Sequence, residues 1–239
     1  MKCCDFTLAT PAENLACDEV LLDLCESGSL GSVLRFWEPS RYFVVVGYAN
    51  QTATEVNQEF CRRHEIPILR RCSGGGAVLQ GPGCLNYSLL LPIAQAPSLA
   101  GIAGTNDHVL LRHQRALQGL SGAAVEKQGH TDLAIGGLKF SGNAQRRRKN
   151  SLLFHGSFLL NADIDFMEKV LPLPSHQPEY RVNRSHSDFL VNLKIPNRLL
   201  KSALAKAWQA SEPLPDLPLE EIGRLARDKY QQDTWNLKF

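Results

Sequence analysis

The chain has 239 residues, of which 44% are hydrophobic and 21% are charged, which is the ordinary composition of a globular protein. A formal net charge of only +2 gives no overall basic footprint for nucleic acid, and no run approaches the roughly 20 apolar residues of a membrane-spanning helix. Seven scattered cysteines without a C-x-x-C pair argue against a disulfide framework or a zinc site, so the sequence predicts a soluble protein of the reducing cytoplasm.

Apolar periodicity and turn residues predict alternating helices and strands along the chain. The first half is predicted to contain, in chain order, a helix at residues 14–27, strands at 32–37 and 42–46 joined by a turn at 38–41, a helix at 57–64, a strand at 68–71, and a hairpin of strands at 77–80 and 85–91. The second half is predicted to contain a helix at 109–120, strands at 124–127 and 132–135, a hairpin of strands at 138–145 and 152–160, and helices at 163–170, 197–210 and 219–232. This mixture of elements indicates an α+β fold.

The run that points most directly to function is a loop between two predicted strands, Arg70-Arg71-Cys72-Ser73-Gly74-Gly75-Gly76-Ala77-Val78. Glycine has no Cβ, so three in a row cost conformational entropy while they let a ligand approach the backbone closely. Their N–H groups, beside two arginines, suit a phosphate or a carboxylate. The alternative interpretation is a glycine-rich hairpin turn with two solvated arginines.

Two further blocks of small and polar residues follow this glycine loop. The first is Asp132-Leu133-Ala134-Ile135-Gly136-Gly137-Leu138-Lys139-Phe140-Ser141-Gly142-Asn143-Ala144-Gln145-Arg146, and the second is His155-Gly156-Ser157-Phe158-Leu159-Leu160-Asn161. With the loop and with Asn86-Tyr87-Ser88, they resemble the lipoate protein ligase catalytic domain family over about residues 11 to 193. The resemblance implies a biotin/lipoate ligase-like catalytic domain with mixed, mostly antiparallel sheets flanked by helices.

The resemblance also implies an activity and a site. Enzymes of this kind activate lipoate or octanoate with ATP and Mg²⁺ to an acyl-AMP, and then transfer the acyl group to a lysine of a carrier domain. Lys139 would be the central cation, because its ammonium can contact both the carboxylate and the α-phosphate. The residues implied to bind the substrate and the adenylate are Arg71, Ser73, Gly74, Gly75, Gly76, Ala77, Asn86, Asp132, Ser141, Gly142, His155 and Gly156. No protein side chain is assigned to a metal ion.

Several of these residues also have a purely structural interpretation. Lys139 could be a solvated strand end, and Arg71 could be half of a salt bridge. His155 could be a core histidine with its hydrogen bonds satisfied, and Asp132 could stabilise a turn.

The implied partners are lipoyl carrier domains, such as those of 2-oxoacid dehydrogenase E2 subunits or the glycine cleavage H protein. Residues 1–196 are expected to form the catalytic domain. Residues 197–239 are expected to form a C-terminal helical extension. This extension is interpreted as a remnant of the smaller accessory domain of ligases; the alternative is that the accessory domain is a separate chain.

The sequence departs from the ligase pattern after the glycine loop, where many ligases have a His-Asp pair and this chain has Gln80-Gly81-Pro82-Gly83-Cys84. This departure leaves a second hypothesis open, an octanoyl or lipoyl transferase that needs no ATP and uses Cys84 as a thioester nucleophile. The three glycines of the loop favour the ligase. A third hypothesis is a non-catalytic module that binds lipoate or acyl-adenylate, which would be expected to lose Lys139 or the loop around Ser73, and both are present.

Overall fold

The computed structural model describes residues 1–214 and 216–239. Within them the strands are, in chain order, β1 (Lys2–Asp5), β2 (Val33–Trp37), β3 (Phe43–Val46), β4 (Ile68–Arg70), β5 (Val78–Gln80), β6 (Cys84–Pro92), β7 (Val125–Gln128), β8 (Asp132–Ile135), β9 (Leu138–Arg147), β10 (Ser151–Leu159) and β11 (Glu212–Pro213). The α-helices are α1 (Pro11–Glu26), α2 (Thr52–Glu55), α3 (Gln58–Arg63), α4 (Ile102–Ser121), α5 (Ile164–Val170), α6 (His186–Phe189), α7 (Asn197–Trp208), α8 (Leu219–Leu225) and α9 (Asp233–Asn236), with a π-helical turn at Ala226–Tyr230. None of the helices in these parts of the chain has the length and apolar character needed to cross a membrane.

A large sheet with strand order β11-β1-β2-β6-β10-β9-β8-β7 forms the centre of the molecule. From β2 to β7 its neighbouring strands are antiparallel, whereas β1 is parallel to both β2 and β11. The predicted hairpin of residues 138–145 and 152–160 is confirmed as the β9–β10 pair. The predicted α+β fold with mostly antiparallel sheets is therefore confirmed.

Both faces of the large sheet are covered by helices, which explains the long apolar runs in its central strands. One face packs against α4 and α7, where Phe158 of β10 lies in one core with Leu117 and Leu204. The other face packs against α1, where Leu21 lies in a second core with Leu153 of β10. Each such buried side chain contributes about 1.5–3 kcal/mol to folding by removing apolar surface from water.

Helix α1 begins at a capping box. Thr10 Oγ1 accepts a hydrogen bond from Glu13 N (3.2 Å), Glu13 Oε2 accepts one from Thr10 N (2.9 Å), and Pro11 occupies the first turn. The helix therefore starts three residues before the predicted position. The earlier start is set by these polar contacts, to which apolar periodicity is not sensitive. The helix carries Asp18 to the face of the large sheet, where its side chain is buried.

A second, three-stranded sheet has the order β4-β3-β5 and carries the glycine loop between its two outer strands. The prediction of a hairpin from residues 77–80 and 85–91 was wrong, because β5 pairs with β3 while β6 joins the large sheet. The turn predicted at residues 38–41 also joins strands of different sheets, because β2 lies in the large sheet and β3 in the small one. This division places the glycine loop next to the large sheet, with a Cβ built on Gly75 lying 3.9 Å from Ala144 Cβ of β9.

Residues 197–239 pack against the same cores as the elements before them. Trp208 of α7 donates from Nε1 to His113 Nε2 of α4 (2.9 Å), beneath the large sheet. On the other face, Ile222 of α8 and Tyr230 lie in the core with α1, and the Tyr230 hydroxyl donates to Glu19 Oε2 (2.6 Å). The segment predicted as an extension is thus folded onto both faces of the sheet.

Candidate active site

A cavity of about 1210 Å³ lies between the large sheet, the glycine loop and segment 174–181. Its floor is a row of residues paired in register across five strands, which are Asp132, Gly142, Ser157, Asn86 and Trp37. At about 4.8 Å between neighbouring strands, the row is about 19 Å long. The cavity is therefore long enough for an extended ligand.

The two ends of the cavity differ in chemistry. Near Trp37 its wall contains the apolar side chains of Leu15, Val45 and Val78, which pack in one cluster with Trp37. At the other end it contains the charged side chain of Lys139. This polarity suits a ligand with an apolar tail and an anionic head.

Most of the predicted site residues line this cavity. They are Arg71, Gly75, Gly76, Ala77, Asn86, Asp132, Lys139, Gly142, His155 and Gly156. The remaining predicted residues, Ser73, Gly74 and Ser141, are not part of its wall.

Lys139 is held at the polar end by Asp132. Its Nζ lies 2.8 Å from Asp132 Oδ1, and the Tyr180 hydroxyl donates to Asp132 Oδ2 (2.8 Å). The Lys139 side chain is 26% exposed, so its ammonium still faces the cavity. Burial, together with the Asp132 carboxylate, raises the pKa of Tyr180, which keeps that hydroxyl protonated as a donor.

A β-bulge in β9 sets the direction of this lysine. Ala134 pairs with Lys139 while the preceding residue, Leu133, pairs with Ser141, so Phe140 is the extra residue on β9. Ser141 pairs with Phe158 and lies on the core side of the sheet, whereas Gly142 lies beneath the lysine. The geometry therefore does not support the predicted contact between Ser141 and a ligand in the cavity.

Two glycines of the cavity wall leave room for neighbouring side chains. A Cβ on Gly142 would lie 2.9 Å from both Cε and Nζ of Lys139. A Cβ on Gly156 would lie 1.9 Å from Asn143 Oδ1, which accepts a hydrogen bond from the Tyr87 hydroxyl (2.5 Å). The absence of a side chain at Gly142 and Gly156 therefore leaves space for the side chains of Lys139 and Asn143.

The glycine loop is fixed against the 47–50 turn. A Cβ on Gly47 would lie 1.9 Å from Gly75 O, and Tyr48 N donates to Ser73 O (2.8 Å). Gly75 has φ +91°, which favours glycine, whereas Gly74 and Gly76 have open space where a Cβ would stand. Only Gly75 of the three is thus required by the loop's own backbone.

Arg71 maintains the shape of the loop. Its Nε and Nη2 donate to Gly74 O (3.0 and 2.7 Å), its Nη2 also donates to Gly76 O (2.8 Å), and its Nη1 donates to Val45 O (3.3 Å). Burial lowers its pKa to about 10, so the guanidinium stays charged at neutral pH. Four of its five N–H donors are engaged by backbone carbonyls, which favours a positioning role over the predicted direct contact with an adenylate.

Ser73 and His155 belong to a buried polar chain that reaches α1. Ser73 Oγ lies 2.6 Å from His155 Nε2, and His155 Nδ1 lies 3.5 Å from Asp18 Oδ2. Asp18 also accepts from Ser88 Oγ (2.7 Å) and from Arg35 Nη1 (2.7 Å). This arrangement places His155 at the cavity wall and Ser73 behind it.

Arg35 and Asp18 form an ion pair with almost no solvent contact, since their side chains are 0% and 3% exposed. Burial alone would raise the pKa of Asp18, but Arg35 and the hydrogen bonds from His155 and Ser88 hold it below its ordinary value. Neither residue was singled out as a candidate from the sequence. Arg35 is the one charged residue of the otherwise apolar strand β2, whereas Asp18 is one of several acidic residues of α1 and does not stand out in the sequence.

Several buried polar atoms at the cavity have no hydrogen-bond partner among the described residues. They include the donors Trp37 Nε1 and Asn86 Nδ2 on the floor and the acceptor Gln80 Oε1. Buried polar groups are normally satisfied, so these atoms are available to a ligand or to water. Asn86, predicted as a site residue, thus presents a donor to the cavity.

Segment 174–181 forms part of the cavity wall at the polar end. Arg181 is 5% exposed and lies over the Phe189 ring (4.7 Å), and its Nη2 has no partner among the described residues. Burial and the neighbouring Arg184 lower the pKa of Arg181. A buried cation with an unpaired donor suits an anion, so Arg181 joins the candidate site.

All seven cysteines lie outside the cavity wall, including Cys84. Cys84 packs in a third core with Leu79, Leu159 and Met167, and burial raises the pKa of its thiol to about 11. Cys72, within the glycine loop motif, is also buried, and its pKa is likewise raised to about 11. Neither thiol therefore has the exposure or the thiolate character of a nucleophile in this geometry.

The family model of the lipoyl protein ligase A/B catalytic domain matches residues 10–200, which is most of the chain. Lipoate–protein ligase 1 of Staphylococcus aureus is 28% identical over 240 residues, covering 96% of this chain and 70% of that protein. The octanoyltransferase LipM of Brevibacillus brevis is 26% identical over 266 residues, covering 96% and 95%.

Solved structures show the same fold. A bi-partite lipoate protein ligase of Thermoplasma acidophilum superposes with a TM-score of 0.79 at 24% identity, covering 99% of this chain and 96% of that one. The chain therefore belongs to the lipoyl protein ligase A/B catalytic domain family, whose members similar to it include both lipoate–protein ligases and octanoyltransferases.

Proposed function

We propose that the protein is an ATP-dependent lipoate–protein ligase, which forms lipoyl-AMP or octanoyl-AMP and transfers the acyl group to a lysine of a carrier domain. The observation that carries this proposal is the pairing of Lys139 with Asp132 at the polar end of a long cavity whose wall contains no thiol. The apolar end around Trp37 suits the acyl chain. The cavity volume exceeds that of an average small-molecule site and suits a ligand as large as an acyl adenylate.

In the first step, a carboxylate oxygen of lipoate attacks the α-phosphorus of ATP, a C(O)O–P bond forms, and the bond to the β-phosphate oxygen breaks to release pyrophosphate. The Lys139 ammonium stabilises the charge that develops on the α-phosphate. Asp132 and Tyr180 hold that ammonium in place before the substrates arrive. The unpaired Nη2 of Arg181 supplies a second cationic donor.

In the second step, the neutral amine of the carrier lysine attacks the acyl carbon, an amide bond forms, AMP leaves with the C–O bond electrons, and the amine proton passes to water. Lys139 again stabilises the leaving phosphate. An acyl adenylate is destroyed by water, so a covered site protects it. Segment 174–181 forms part of this cover over the polar end.

Mg²⁺ would enter the site as the counterion of ATP. No group of three or more His, Cys, Asp or Glu side chains that could hold a metal ion occurs in residues 1–214 and 216–239. Magnesium is commonly bound by one or two carboxylates and by substrate phosphates, and Asp132 keeps an unused lone pair on each oxygen. Asp132 would thus hold the ion, which would neutralise phosphate charge.

The second candidate is an octanoyl or lipoyl transferase, favoured by the similarity to the B. brevis octanoyltransferase. A thioester route through Cys84 would need that thiol to reach the cavity from its core and to lose a proton against a raised pKa. The ligase requires no such rearrangement, and we favour it for this reason.

We further propose that the carrier is a lipoyl domain of a 2-oxoacid dehydrogenase E2 subunit or a glycine cleavage H protein. The T. acidophilum ligase was analysed together with its E2 lipoyl domain. Seven unpaired thiols are compatible with a reducing compartment, so we place the reaction in the cytoplasm.

The test is the mass of an E2 lipoyl domain after incubation with the protein under two sets of donors. One set contains lipoate or octanoate with ATP and Mg²⁺, and the other contains octanoyl carrier protein without ATP. We expect modification only in the first set, and unchanged transfer by Cys84→Ser. Modification only in the second set, with loss in Cys84→Ser, would establish the transferase. Binding of lipoate without modification of the lipoyl domain in either set would support the third hypothesis, a non-catalytic binding module.

A further inference from the structure

Arg70, which precedes the cavity-lining Arg71, is directed away from the cavity. It is fully buried, and its Nε donates to Trp235 O (3.1 Å). Its Nη1 donates to three carbonyls of one turn, those of Gly47 (2.9 Å), Tyr48 (3.1 Å) and Asn50 (2.8 Å). One side chain thus joins segment 229–239 to the 47–50 turn.

The backbone of Arg70 is held by the same segment. Trp235 Nε1 donates to Arg70 O (2.8 Å), and Arg70 N donates to Asn236 Oδ1 (3.0 Å). Because β4 is an edge strand of the small sheet, these two side chains occupy the hydrogen-bonding positions of a neighbouring strand. Asn236 Nδ2 in turn donates to Tyr230 O (2.9 Å). Arg70 is thereby fixed on both its backbone and its side chain.

The 47–50 turn transmits this constraint to the glycine loop. Gly47 contacts the backbone of Gly75 so closely that a Cβ would lie 1.9 Å from its carbonyl oxygen. Tyr48 N donates to Ser73 O (2.8 Å), and Arg71 N donates to Val46 O (3.0 Å). A shift of Arg70 would therefore move the wall of the cavity.

Segment 229–239 is itself anchored to the elements around the site. Phe239 O accepts from Thr52 N and Thr52 Oγ1 (3.1 Å each) at the start of α2. Lys229 Nζ lies 2.7 Å from Glu19 Oε2 of α1. The segment thus has fixed points on both sides of Trp235.

We propose that Trp235 and Asn236 are positioning residues of the active site, which hold the glycine loop in its ligand-binding shape through Arg70. Both residues lie beyond residue 200, where the family match ends. The inference uses the cavity of the proposed function but does not depend on which acyl transfer occurs there.

The test compares two Trp→Phe variants that each remove one indole donor. Trp235→Phe loses the bond to Arg70 O, and Trp208→Phe loses the bond to His113 Nε2 on the opposite face of the sheet. Hydrogen exchange is measured at the amides of Tyr48, Asn50 and Arg71. Losing one net hydrogen bond should accelerate exchange there about three- to tenfold in Trp235→Phe and leave it unchanged in Trp208→Phe.

Acyl transfer from lipoate and ATP is measured in parallel, and we expect a loss of about ten- to a hundredfold in Trp235→Phe only. If Trp235→Phe does not fold, Asn236→Leu is used in its place. This variant removes the acceptor for Arg70 N at similar side-chain volume. Wild-type exchange at the three amides in the folded variant, or equal acceleration in Trp208→Phe, would overturn the proposal. Exchange remains informative if the protein proves not to be a ligase.

Discussion

Lys139 Nζ lies 2.8 Å from Asp132 Oδ1, at a point where the β-bulge of β9 turns the lysine over Gly142 and toward the cavity. The second oxygen of the same carboxylate accepts from the Tyr180 hydroxyl (2.8 Å). The ammonium is therefore fixed in direction before any ligand binds. A preorganised charge of this kind stabilises a transition state without reorganisation during the reaction.

Lys139→Gln is expected to lower the rate of acyl-adenylate formation by about 10²–10³-fold, because one preorganised cationic contact is lost. The partly exposed ion pair contributes under about 1 kcal/mol to folding, so the melting temperature should change little. The measurement is pyrophosphate release in the presence of lipoate and ATP. Lys127→Gln is the matched control, since Lys127 forms an ion pair with Asp107 outside the cavity wall. A Lys139→Gln rate within about threefold of wild type, under about 1 kcal/mol, would remove Lys139 from the reaction.

Gly47→Ala and Gly74→Ala are expected to differ strongly, although both change one glycine near the same loop. The added Cβ meets Gly75 O at 1.9 Å in the first variant and meets nothing within 4 Å in the second. We expect Gly47→Ala to lower the free energy of unfolding by about 1–3 kcal/mol, as overpacking does, and Gly74→Ala to leave it unchanged. Chemical denaturation measures both. Equal losses would show that the loop does not rest on the 47–50 turn.

The sequence predicted the glycine loop, Lys139 and Asp132 as parts of one site because these residues stand in motifs of the family. The fold class was predictable for the same reason. Apolar periodicity predicted most elements between β2 and α8, since they alternate or repeat at the spacing of one buried face.

Long-range pairing was less predictable. Nothing local to residues 77–91 shows that β5 and β6 belong to different sheets, because a short turn suits a hairpin equally well. The roles of Arg71 and Ser141 depended on a buried carbonyl network and on a β-bulge, neither of which leaves a pattern in the sequence. Arg181 lies in a proline-rich stretch whose irregular backbone gives no periodic signal.

Asp18→Asn is expected to destabilise the fold by about 3–5 kcal/mol at neutral pH, because it leaves the fully buried Arg35 guanidinium without its counterion. The folded-state pKa of Asp18 is below its ordinary value of 3.8, although burial alone would raise it, because Arg35 outweighs burial with the help of His155 and Ser88. This stability is therefore present above about pH 4 and is lost as the pH falls through the lowered pKa. Asp23→Asn is the control, since its exposed pair with Arg148 contributes under about 1 kcal/mol. Similar losses in the two variants would contradict the buried pair.

His113 is expected to make folding stability depend on pH between about 6.5 and 3. Burial, assisted by Arg112, lowers its pKa from 6.5 to about 3, while its Nε2 accepts from Trp208 Nε1 (2.9 Å). In that range the unfolded chain binds a proton at His113 that the folded chain excludes. The free energy of unfolding should therefore fall with decreasing pH, by up to about 1.4 kcal/mol per pH unit from this residue.

The measurement is urea denaturation at several pH values from 7 to 4 for wild type and His113→Gln. The variant has no proton to bind at this position, and its amide oxygen can still accept from Trp208. Its stability should fall less steeply than that of wild type, whereas His64→Gln, which changes an exposed histidine, should follow wild type. Parallel pH profiles for wild type and His113→Gln would mean that His113 takes up its proton as readily in the folded protein as in the unfolded chain.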